Sequence, residues 1–324
     1  MIVRTSDNKI WNKTTFISDL FHEVCITKNN SNILIDLNLE GPCCKESGID
    51  KVIDNVLNKF DIDPKRFVIK TANQLSSSKY TEVKTVNKIL HGAKLKSKTH
   101  VPTNSSLNNI FGIFIGRSNW QRLLIASYLQ NNYKNKTAIT FHYDNTNDFH
   151  LANFGLTEIA QKYPSELEHV CNFLKVLPIV RDNVQYPIMW TNKAYDLDYL
   201  YKDIFCEIVC ETYYSGRTFF ITEKLYRCVL NKRPFIVQGP KFFLKNLRKL
   251  GFKTFEKWWD EGYDEDEADS KFISIKQNIQ WIMSQDKNTV KRWYKEMNDI
   301  LNHNYNTLLK LNNETILNTD FYYE

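Results

Sequence analysis

Hydrophobic positions in the chain follow two alternating rhythms. Short apolar runs of strand length recur at Asn32–Leu37, Phe67–Ile69, Phe111–Ile115, Lys136–Phe141, Phe205–Cys210 and Phe235–Val237. Bounded by turn residues, they read as buried strands. Between them the apolar residues fall at helical spacing. Ile49, Val52, Ile53, Val56, Leu57 and Phe60 share one face. Leu123, Leu124, Ser127 and Tyr128 share another in a helix from Trp120 to about Leu129, and Leu225, Cys228 and Val229 share a third. Strand–helix–strand order predicts an α/β fold with parallel sheets covered by helices, and such sheets bind ligands beyond the carboxyl ends of their strands.

The polar, turn-rich stretch over residues 97–109 reads as a linker. It divides the chain into a first domain, 1–105, and a second, 106–300, with 301–324 expected to pack back on the first. Residues 155–200 read as mixed helix and loop, with Tyr186–Trp190 as a short extended segment. Pro240–Phe255 reads as a helix around Phe243, Leu244, Leu247 and Leu250, closed by Gly251. Phe272–Met283 and Val290–Leu311 read as amphipathic helices. Between these, the run from Trp258 to Lys271 (WWDEGYDEDEADSK) reads as a solvated acidic loop.

Composition changes this picture little. The 324 residues suffice for two domains, and 42% apolar with 14% aromatic residues supply their cores. A net charge of +6 favours polyanionic partners weakly and does not by itself indicate nucleic acid. The seven cysteines include no CxxC pair, so neither a disulfide framework nor a zinc site is indicated. No apolar run approaches a membrane span, and the first residues lack a signal-peptide core, which predicts a soluble, cytoplasmic protein.

Candidate chemistry gathers at strand ends. Thr222 reads as the N-cap of a helix opening with Glu223 and Lys224. The N–H groups and dipole of such a terminus make a ready anion site. Lys224 suits a phosphate and Glu223 suits hydroxyls, as for a ligand that is part sugar and part phosphate; the plainer reading is a capped, ion-paired βαβ unit. Gly116-Arg117-Ser118-Asn119 forms a second such corner, with Ser118 and Asn119 as caps and Arg122 in the first helical turn. A cation there opposes the dipole unless it has an anion to hold. Glu40 follows a strand directly, where a catalytic carboxylate would stand; a solvated turn residue is the competing reading. His142, Asp144, Asp148 and His150 match no metal-ligand spacing and read as a polar loop.

Three of these places together resemble the α-1,3-fucosyltransferase family, glycosyltransferase family 10. Asn38-Leu39-Glu40-Gly41-Pro42 is similar to its Asn-x-Glu-Ser-Pro motif, with Gly for Ser. The stretch from Phe114 to Arg122 is similar to its strand followed by Ser-Asn and a nearby Arg. Cys210-Glu211-Thr212-Tyr213, Phe220-Ile221-Thr222-Glu223-Lys224 and Pro234–Gly239 follow the order of its longest signature, with Phe220 for the usual Tyr and Thr212-Tyr213 for Asn-Ser. The resemblance covers about residues 32–42 and 111–240.

It implies a GT-B fold, two Rossmann-like domains facing across a cleft, and an inverting, metal-independent sugar transfer. Glu40 would be the general base. Arg122 and Lys224 would hold the pyrophosphate and Glu223 sugar or ribose hydroxyls, with Ser118, Asn119, Arg117, Glu211, Thr222 and Phe220 around the donor. That donor is a nucleotide sugar, GDP-fucose by default and a UDP-sugar as the other option; the acceptor is a carbohydrate. No tightly bound cofactor or metal is implied, and a soluble, Asn/Lys/Ile-rich enzyme of this kind suggests a viral or bacterial source. Two alternatives stand beside it. One is a GT-B enzyme glycosylating a modified DNA base, which the basic runs Lys94–Lys98 and Lys241–Lys249 permit. The other is an inactive nucleotide-sugar or glycan-binding module. Trp120, Tyr143 and Tyr213-Tyr214 are candidate acceptor-stacking aromatics.

Overall fold

The computed structural model describes residues 5–6, 9–10, 13–27, 31–37, 41–85, 107–116, 118–142, 152–181, 197–311 and 321–322. A small antiparallel ribbon, β1 (Thr5–Ser6) with β2 (Lys9–Ile10), precedes helix α1 (Lys13–Ile26). Next come β3 (Ile33–Leu37), α2 (Cys44–Ser47), α3 (Ile49–Phe60), β4 (Phe67–Thr71) and β5 (Thr81–Lys84). β3, β4 and β5 form a parallel sheet in that order, in a register running from Ile33 opposite Phe67 to Leu37 opposite Thr71. Its core joins Phe16 and Leu20 of α1, Ile49, Val52, Ile53 and Val56 of the predicted α3 face with Leu57 packed against it, and Ile33, Ile35, Phe67 and Ile69; Phe60, at the end of that face, is 37% exposed. Burial alternates along β3, and Leu34 is 51% exposed. β3 and β4 thus bury one face, where the sequence suggested burial on both, and no residue of β5 is buried.

The second sheet is also parallel. Its elements are β6 (Asn109–Ile115), α4 (Trp120–Tyr133), β7 (Thr137–Phe141), α5 (Ala152–Lys162), α6 (Leu167–Leu174), α7 (Asp198–Tyr201), β8 (Ile204–Cys210), α8 (Glu223–Leu230) and β9 (Phe235–Gln238). The strand order is β7-β6-β8-β9, with Phe111 opposite Cys206 and Val209 opposite Val237. Every residue of β8 is buried. Gly112 packs closely against this strand: a β-carbon there would lie 2.6 Å from Cδ1 of Ile204, so a larger residue would require the Ile204 side chain to shift.

α9 (Phe243–Lys249), α10 (Ala268–Met283), α11 (Lys287–Glu296) and α12 (Asn298–Leu311) follow. They correct three expectations. The helix read over Pro240–Phe255 shrinks to α9, because Phe242 stands at φ +62° before it and Gly251 at φ +90° after it. The helix read over Val290–Leu311 is two helices, α11 opening four residues earlier on Asp286, whose carboxylate accepts from the N–H groups of Asn288 and Thr289. The acidic run is solvated only in part: Asp260, Glu265, Glu267 and Asp269 are exposed, but Trp258, Trp259, Glu261, Tyr263 and Asp264 are buried, and its end is the first turn of α10. Asp264 accepts from the N–H groups of Leu244 and Lys245 at 2.8 and 2.9 Å, capping α9 from outside its own segment.

For the C-terminal stretch, expected to reach the first domain, the described contacts lie on the second. α12 packs on α8, and Lys232 donates to Asn302 at 2.7 Å. Asn246 exchanges hydrogen bonds with the backbone of Tyr322, and the Phe321 ring stands 5.0 Å from that of Phe219. Tyr186–Trp190 and residues 97–106 of the expected linker lie outside the described residues, while Asn109 begins β6. Among the described residues no helix is long and apolar enough to cross a membrane.

Candidate functional site

From β6 the chain turns to β7 on one side, then crosses back to build β8 and β9 on the other. The order reverses between β6 and β8, and a crevice opens at such a point beyond the carboxyl ends of the strands. Two helices begin there. After Ile115, the end of β6, extended Asn119 caps α4, its side-chain oxygen accepting from the N–H of Arg122 at 2.8 Å. After Cys210, the end of β8, Thr222 caps α8, its hydroxyl accepting from the N–H of Lys224 at 3.3 Å. Both caps stand where the sequence placed them.

Arg122 bridges the two corners. Its Nη2 donates to the carbonyl oxygens of Glu211 at 2.7 Å and Cys210 at 3.2 Å. Carbonyls at the end of β8 thus hold the cation in the first turn of α4.

Glu211 is the buried hub of the crevice, at 4% exposure. Its Oε2 accepts from the Thr222 hydroxyl at 2.5 Å, while no described group is within hydrogen-bonding reach of its Oε1. Burial pushes this carboxyl up to about 7 against the opposing pull of the Lys224 charge and the Thr222 hydrogen bond. Lys224 reaches Glu223 at 3.0 Å and the Thr212 hydroxyl at 3.2 Å, with 14% of its side chain exposed. Burial would raise the Glu223 carboxyl too, but the charge and hydrogen bond of Lys224 outweigh it and hold it below the usual range. Asn119, Arg122, Glu211, Thr222, Glu223 and Lys224 thus form one bonded network at the mouth of two helices.

Other predicted residues lie elsewhere. Ser118 is buried beside Asn119. Phe220 stands apart from the network, in a small apolar cluster with Ala72 and Tyr213 at the border with the first sheet. Trp120 and Tyr213 are buried rather than open for stacking; the Trp120 Nε1 donates to the Tyr214 hydroxyl at 2.9 Å. Glu40, Arg117, Tyr143, Lys94–Lys98 and the Asp144, Asp148 and His150 positions lie outside the described residues. Among the described residues no group of three His, Cys, Asp or Glu side chains is placed to hold a metal ion. In the Lys241–Lys249 run, Lys241 pairs with Glu267 at 3.0 Å, and Lys245 and Lys249 stack on the Tyr322 ring at 4.2 and 3.9 Å.

A buried triad behind α8 escaped the sequence reading. Arg227 donates to the Tyr201 hydroxyl at 2.6 Å and to Glu207 at 3.2 Å, and Tyr201 donates to Glu207 at 2.5 Å. It ties the second turn of α8 to β8 and α7. Arg227 lies 26 and 20 positions from its two partners, beyond any local spacing rule. No protein-family model, characterised protein or solved structure matches the chain.

Proposed function

We propose that the chain is an inverting, metal-independent glycosyltransferase of the GT-B type, fucosyltransferase-like, moving a sugar from a nucleotide sugar to a carbohydrate hydroxyl. The observation that carries this reading is the bonded network at the switch point between β6 and β8, where a lysine, a carboxylate and the open N-terminus of α8 converge. A diphosphate suits that terminus, because helix N–H groups and Lys224 supply positive potential that strengthens as charge develops on the leaving group. Glu223 is held ionised with 26% of its side chain exposed, able to accept from sugar or ribose hydroxyls. Arg122, bonded to the end of β8, adds its charge and fixes the wall of the site.

In the reaction Glu40 takes the proton of the acceptor hydroxyl. The oxygen forms a bond to the anomeric carbon as the bond to the diphosphate breaks from the opposite face. The electron pair leaves on the nucleoside diphosphate, and one displacement inverts the centre. In this reading the first sheet carries the base and the acceptor, and the second carries the donor.

Calorimetry against GDP-, UDP-, dTDP- and CMP-sugars, with and without EDTA, tests the donor side. One nucleotide class binding equally in both conditions is expected. Glu40→Gln should retain that binding and lose transfer; turnover at the wild-type rate in this variant, or no binding by any nucleotide sugar, overturns the reading.

A further inference from the structure

The loop joining β8 to α8 travels by way of the first sheet. Its middle, Arg217–Phe220, lies along Asn73–Ser76, the segment that follows β4, and the buried contact between them centres on one side chain. Asn73 is fully buried, at 0% exposure. Its side-chain oxygen accepts from the backbone N–H of Phe219 at 2.9 Å and of Leu75 at 3.0 Å, and its side-chain nitrogen donates to the carbonyl of Arg217 at 2.9 Å.

Backbone and charged groups complete the exchange. The N–H of Gln74 donates to the carbonyl of Phe219 at 2.9 Å. The Arg217 Nε donates to the Leu75 carbonyl at 2.8 Å, and the Arg217 N–H donates to the Glu46 carboxylate at 2.9 Å. Thr222, Glu223 and Lys224 follow within a few residues. Buried polar groups of this kind specify one arrangement when fully satisfied and are costly to leave unpaired.

We infer that Asn73 is a positioning residue for the site on α8. From the first unit it fixes the loop Glu211–Thr222, and through that loop the N-terminus that presents Glu223 and Lys224. A short amide is the side chain that does this, offering a twofold acceptor and a donor on one stem; aspartate lacks the donor and alanine lacks both. The inference rests on the proposed function for its kinetic consequence, and on the hydrogen bonds alone for its effect on the loop.

The test compares wild type with Asn73→Ala, Asn73→Asp and Arg217→Ala. Arg217→Ala leaves the Asn73 bonds in place and keeps the test open if Asn73→Ala fails to fold. Amide hydrogen exchange is followed at Phe219, Gln74 and Lys224, and donor KM and kcat are measured with the nucleotide sugar that binds wild type. Asn73→Ala is expected to speed exchange at least tenfold at all three amides and raise donor KM at least tenfold, with Asn73→Asp and Arg217→Ala smaller in the same direction. Loss of folded protein alone would lower kcat and leave KM unmoved. Unchanged exchange at Lys224 in both Asn73→Ala and Arg217→Ala overturns the inference. If wild type binds no nucleotide sugar, the proposed function fails, and exchange at Lys224 still decides the positioning role.

Discussion

Phe220 packs directly on Gly41: a β-carbon added to Gly41 would lie 3.1 Å from two carbons of the Phe220 ring. These are two of the positions at which the chain departs from the fucosyltransferase pattern, and they touch across the border between the sheets. Gly41 also sits at φ +49°, where a side chain is strained whatever space it has. Replacing it with the serine of the pattern is expected to destabilise the fold by about 1–3 kcal/mol. In a Phe220→Ala background the same change should cost clearly less, leaving the backbone strain and the close approach to the Asn73 β-carbon at 3.2 Å. Chemical denaturation of the four proteins of that cycle measures the coupling, and additive effects would show that the two residues do not constrain each other.

Glu211 makes stability depend on pH in an unusual direction. Folded, its carboxyl keeps its proton to about pH 7, whereas its ordinary value is 4.5. Between those values the folded state binds more protons than the unfolded state, so this group lowers stability as pH rises through the window. Glu211→Gln removes the effect. Relative to wild type, the variant should gain stability from pH 5 to pH 8, approaching about 3 kcal/mol as an upper bound. Denaturant titrations at the two pH values give the comparison; a constant difference would mean that the carboxyl ionises in the folded protein as it does unfolded.

Lys224 is the cation with its side chain at the opening of α8, bonded to Glu223 and Thr212. Charge-assisted contacts to a diphosphate contribute about 1.5–3 kcal/mol each. Lys224→Met should therefore weaken nucleotide-sugar binding by about 10- to 100-fold, and EDTA should leave wild-type binding unchanged. Calorimetric affinities equal to wild type in the variant would place the phosphate elsewhere.

The Arg227–Glu207–Tyr201 triad is a structural commitment. Arg227 and Glu207 are both buried, so truncating one partner strands the other's charge. Glu207→Ala is expected to cost about 3–5 kcal/mol by thermal or chemical unfolding, and Glu207→Gln less, because it keeps acceptor capacity for Tyr201 and Arg227. A cost below about 1 kcal/mol would show that the network relaxes onto other partners.

The sequence by itself determined the local elements, because periodicity and capping act between residues a few positions apart. The faces of α3 and α8, the caps Asn119 and Thr222, and the strand–helix–strand order from β3 to β4 and within the second sheet could be read there, whereas β5 could not. Tertiary structure decided what depends on distant pairing. The strand order sets β8 beside β6, and this gives Arg122 its carbonyl partners 88 and 89 positions away. Asn73 meets the loop before α8 across 144 and 146 positions. Asp264 caps α9 from 20 and 19 positions downstream, a buried brace within an otherwise largely exposed acidic stretch. An isolated Asn or Asp carries no periodic signal. Its role appears only when the fold brings unpaired N–H and C=O groups within reach, because burial then makes satisfying them obligatory.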